Sequence, residues 1–70
     1  MTLDRARHFL SVQVSFGGGY NANSAKLVLS EMQKDYGQEV VDQLIREFGL
    51  EQVFGFVPGT RFENGVAVKN

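Results

Sequence analysis

Seventy residues with a net charge of −1, no cysteine and a single histidine leave room for one small domain. They exclude a disulfide framework and a zinc site built from the usual Cys/His ligands. A chain of this length buries only about 60% of the surface its unfolded form exposes, so the expectation is one domain over residues 1–70 that gains stability by associating with itself.

Charge and patterning exclude further classes. Seven basic residues against eight acidic ones fall well short of the balance expected of a domain built on phosphate contacts. No stretch approaches the roughly 18 apolar residues of a membrane span, and MTLDRARHFL holds no apolar run of signal-peptide length. The absence of cysteine suits a reducing compartment. The expectation is a cytoplasmic protein with no metal, no cofactor and no membrane contact.

In chain order, residues 1–7 read as a frayed end. From His8 to Phe16 the apolar Leu10, Val12, Val14 and Phe16 alternate with Phe9, Ser11, Gln13 and Ser15, the period of a half-buried strand. Gly17, Gly18 and Gly19 end it, because glycines pack no sheet face and cost entropy to order. Asn23 or Ser24 suits the N-cap of a helix from Ser24 to Tyr36. Ala25, Val28, Leu29, Met32 and Tyr36 make its apolar stripe, and Gly37 is its stop.

A second helix follows at once, with Val40, Val41, Leu44, Ile45 and Phe48 on one face and Glu39 in its first turn, where a negative charge suits the helix dipole. Gly49 stops it, and EQVFGF reads as one further helical turn. Pro58-Gly59 fits the centre of a type II turn. Asn64-Gly65 fits the two-residue loop of a hairpin that joins Arg61–Glu63 to Val66–Val68. Residues 69 and 70 read as frayed. The resulting order, β-α-α-β-β, is an α+β pattern. The expected core is Leu10, Val12, Val14, Val28, Leu29, Met32, Val41, Leu44, Ile45 and Phe48.

Gly17 to Ala22 formally match G-x-G-x-x-A, the glycine turn that lets a backbone approach a pyrophosphate. The context is wrong, since a second helix stands where the next parallel strand is required and the Gly-Lys-Ser/Thr ending of a P-loop is missing. The loop reads instead as a contact segment, Gly17, Gly18, Gly19, Tyr20 and Asn21, with Tyr20 at its tip. Phe54 and Phe56 read as anchors beside it.

Catalysis lacks its parts. His8, Asp4, Ser11 and Ser15 crowd one strand and a frayed end, a poor frame for nucleophile, base and orienting acid. The pairs Glu31/Asp35 and Glu47/Glu51 read as solvated helix faces rather than opposed carboxylates across a cleft.

Two function classes remain. One is a small non-enzymatic protein-interaction or regulatory module acting as a homodimer, on another protein or on its own copies. It draws on the density of large apolar residues in Leu50, Val53, Phe54, Phe56, Val57 and Phe62, some of which would lie on a partner surface, although the first expectation for them is that they close the core over the sheet. The alternative is a DNA-binding dimer. A ribbon-helix-helix form would place Ser11, Gln13 and Ser15 against base edges with Arg5 and Arg7 on phosphate. A helix-turn-helix form would use VVDQLIREFGLEQVFGF, but that segment offers Glu51 and Gln52 to the groove with little basic flank. The module is the first choice.

Overall fold

The computed structural model describes residues 1–15 and 22–68. The elements run α1 (Leu3–Ser15), α2 (Ala22–Tyr36), α3 (Gln38–Glu47), α4 (Leu50–Phe54), β1 (Arg61–Glu63) and β2 (Val66–Val68). Among the described residues the chain is therefore mostly helical, with one carboxy-terminal hairpin.

The expected amino-terminal strand is a helix, so the order β-α-α-β-β is corrected. The alternation from Leu10 to Phe16 is real, but a helical spacing starts earlier, at Leu3, Ala6, Leu10 and Val14. Ala6 and Leu10 are fully buried, and Leu3, Phe9 and Val14 pack against the core. Thr2 Oγ1 accepts from the Arg5 amide and Thr2 O from the Ala6 amide, which satisfies donors of the first turn as an N-cap does. Asp4 stands in that turn, where the helix dipole favours it. Residues 3–7, expected to fray, are helical. Val12, expected in the core, is 38% exposed, because at 3.6 residues per turn it falls off the stripe that Leu10 defines.

The second and third helices follow the expected stripes. Ala25, Val28, Leu29 and Met32 of α2 are buried, as are Val41, Leu44 and Ile45 of α3. α2 begins two residues earlier than expected, so Asn23 and Ser24 lie inside its first turn rather than capping it. Tyr36 is half-exposed. Phe48 is only partly buried, packing against the core from its rim.

α4 ends in a left-handed turn that sends the chain back inward. Gly55 has a φ of +78°, a conformation glycine adopts without penalty. The Gly55 amide donates to Glu51 O at 2.9 Å, the 5→1 bond of a left-handed helix cap, and the Phe56 amide reaches back to Leu50 O at 3.2 Å. That reversal drives Phe56 into the core, where its ring meets Phe62 edge-on at 5.2 Å. Pro58 and Gly59 then form the expected turn: the Thr60 amide donates to Val57 O at 3.2 Å, and Gly59 has the positive φ that type II requires.

The hairpin pairs Arg61 with Val68, Phe62 with Ala67 and Glu63 with Val66, antiparallel. Asn64 and Gly65 both have positive φ, as a type I′ loop demands. Phe62 is 1% exposed and fills the core from this side.

α2 is the central element: α1, α3 and both strands lie against it, while α4 packs on α3. The Met1 ammonium lies 3.5 Å from Asp35 Oδ2, so the start of α1 sits beside the end of α2 and the two run antiparallel. Along the other flank of α2, Gln33 Oε1 accepts from the Phe62 amide at 3.2 Å and Ser30 Oγ from the Gly65 amide at 2.8 Å. Replacing Gln33→Ala leaves the Phe62 amide without that acceptor and is expected to lower stability by about 1–2 kcal/mol, measured by urea unfolding.

Candidate functional site

One flank of α1 turns away from the core and stays apolar. Arg5, His8, Phe9 and Val12 follow at i, i+3, i+4 and i+7, neighbours on one helix side. Phe9 is half-buried and packs against the core. Around it lies a shallow hollow of about 330 Å³, walled by Met1, Asp4, Arg5, His8 and Phe9. Val12 stands one turn further on. Arg5 makes no ion pair among the described residues, whereas Arg7, on the other side of α1, is held 3.2 Å from the Glu47 carboxylate of α3. The flank therefore offers apolar area, one unpaired guanidinium and one imidazole.

A larger hollow, about 710 Å³, lies over α3 and is bordered by Glu39, Val40, Asp42, Gln43, Arg46 and Glu47. All six belong to one helix, so no second wall opposes them and no cleft is formed. Asp42 is already occupied. Its Oδ1 accepts from the Gly59 amide at 2.7 Å and from Gln38 Nε2 at 2.9 Å, and Gln38 Nε2 also donates to Thr60 O at 2.8 Å. Because the Gln38 amide nitrogen serves both acceptors, its Oε1 is left buried with no partner among the described residues. The network latches the Pro58-Gly59 turn onto α3. Asp42→Ala is expected to cost about 1.5–3 kcal/mol, the range for a hydrogen bond to a charged group, as a drop in the urea midpoint.

Of the residues the sequence singled out, Gly17, Gly18, Gly19, Tyr20 and Asn21 lie outside the described residues. Phe54 and Phe56 are brought together, ring centroids 5.4 Å apart, but Phe56 turns inward onto Phe62. Phe56 is 6% exposed and Phe54 half-buried, so most of this aromatic surface is spent inside the chain. Arg5, Arg7, Ser11, Gln13 and Ser15 are all on α1. The Ser11 and Ser15 hydroxyls donate to His8 O and Val12 O, each at 2.7 Å, the local back-bonding typical of serine in a helix.

A ribbon-helix-helix dimer needs a strand ahead of its two helices, and that segment is α1. In the helix-turn-helix form the reading helix would be α4, five residues long and carrying Glu51 and Gln52. The acids Glu31 and Asp35 are both solvent-exposed on α2.

Sequence reasoning missed the α1 flank because it placed Phe9 and Val12 on opposite sides of a strand. The spacing 5, 8, 9, 12 was the signal that could have found it. Among the described residues no group of three or more His, Asp or Glu is placed to hold a metal ion. None of their helices is long and apolar enough to cross a membrane. Comparison with known proteins finds no matching family, no similar curated protein and no similar solved structure.

Proposed function

We propose that the chain is a small protein-interaction module that works by contact rather than by chemistry and acts as a homodimer. The observation that carries the reading is the outer flank of α1, where Val12 is exposed and Phe9 only half-buried although the same helix already buries Ala6 and Leu10. A monomer that needed α1 only for its core would gain solubility from polar residues there. Patches of this kind, rimmed by charge, mark contact surfaces. The groups that could serve chemistry support the same reading by their placement: the serine hydroxyls are spent on backbone carbonyls, and Asp42 is committed to the latch.

The reading assigns Phe9 and Val12 as anchors, with Arg5 and His8 as the polar rim. The immobilised chain should retain a protein partner at a fixed ratio. Val12→Glu should weaken that retention by at least about tenfold, with the circular dichroism and urea midpoint of the wild type, since an exposed substitution changes stability by no more than about 0.5 kcal/mol. Equal retention by the two proteins would overturn the assignment.

A further inference from the structure

The second surface of interest is the outer edge of the hairpin. In an antiparallel pair closed by a two-residue loop, the residues next to the loop exchange both hydrogen bonds and the next pair exchanges none. Glu63/Val66 and Arg61/Val68 are therefore the bonded pairs, while Phe62 and Ala67 direct their amides and carbonyls away from each other. The structure agrees at Phe62, whose amide is taken by Gln33. The loop amide of Gly65 is taken by Ser30. On β2 the outward amide of Ala67 has no hydrogen-bond partner among the described residues.

Edge strands in monomeric proteins are usually blunted by a charge, a proline or a bulge. β2 reads Val-Ala-Val and has none of these. Val66 is 58% exposed on the outer face of the hairpin. Leu27 of α2, equally exposed, lies against the turn: a Cβ built on Gly65 would stand 2.7 Å from its Cδ2. Uncovered backbone and uncovered apolar side chains thus coincide at one place.

We propose that β2 pairs antiparallel with β2 of a second copy, about a two-fold axis at Ala67, giving the strand order β1-β2-β2-β1. The edge is its own complement. With Ala67 opposite Ala67, the outward amide and carbonyl of each copy satisfy those of the other, and nothing is left over. The same operation sets Val66 beside Val68 of the second copy on one sheet face and removes exposed valine from water. Charge does not oppose it, because β2 has none and the nearest charges on that face, Arg61 and Glu63, pair with each other one strand away. A second copy is therefore the occupant, the isologous arrangement most common in homodimers.

The inference rests on the homodimer part of the function proposed above, and uses a surface distinct from the α1 flank. Sedimentation equilibrium over a wide concentration range tests it on the wild type, Val66→Lys and Ala67→Pro. The expected result is a reversible wild-type dimer and a dissociation constant raised at least about tenfold in both β2 variants. Val66 is exposed and the Ala67 amide bonds nothing within the hairpin, so both variants should keep the native circular dichroism. If Ala67→Pro does not fold, Val66→Lys decides alone. A wild-type monomer at every concentration would overturn the inference and the homodimer with it, leaving partner retention through Val12 to stand or fall separately. A dimer unaffected by either β2 variant would overturn the edge pairing alone.

Discussion

The structure depends on one helix being buried along its length while still presenting polar groups at its flank. Ala25, Val28, Leu29 and Met32 give α2 a stripe with almost no solvent exposure, and α1, α3 and the hairpin close over it from different sides. With so short a chain there is little other apolar area to distribute, so each neighbour has to pack on α2 or remain uncovered. Ser30 and Gln33 solve a second problem on the same helix. A two-stranded hairpin is marginal alone in water, and these side chains accept hydrogen bonds from its backbone while Phe62 fills the core beneath.

The turns make this closure possible by redirecting short segments inward. The left-handed Gly55 ends α4 after five residues and returns Phe56 to the core. The Asp42–Gln38 network then fixes the Pro58-Gly59 turn against α3, which aims the chain into β1. The unpartnered Gln38 Oε1 is what that arrangement costs: one buried acceptor is sacrificed so that one amide group can hold two carbonyl and carboxylate oxygens.

Much of this was legible in the sequence where pattern and punctuation agree. α2 and α3 have stripes of helical period closed by glycine, and both turns combine residues with few other uses, Pro58-Gly59 and Asn64-Gly65. α1 was not legible because its second half satisfies two periods at once. Val12, Val14 and Phe9 favour strands by propensity, but the deciding residues, Thr2, Leu3 and Ala6, lay in a segment read as loose. Packing against α2 then overrode propensity. Phe56 and Phe62 stand outside the named core list although closure of the core was the first expectation for them, because the way they enter it depends on a chain reversal and a hairpin docking, neither visible in a local window. The site reading suffered with the fold. A strand puts Phe9 and Val12 on opposite faces, whereas a helix places them together, so the apolar flank exists only once α1 is a helix.

The way the hairpin is fastened also sets an order of events. Its own loop closes over two residues, a step that takes on the order of microseconds. Its attachments to α2 join residues 29 and 35 positions apart in the chain, so they carry the larger entropy of loop closure. β1 and β2 thus form a unit able to assemble early and seat late. Such a unit opens with a free energy below that of global unfolding. The carboxy-terminal hairpin is in this sense a clasp fitted over the helices.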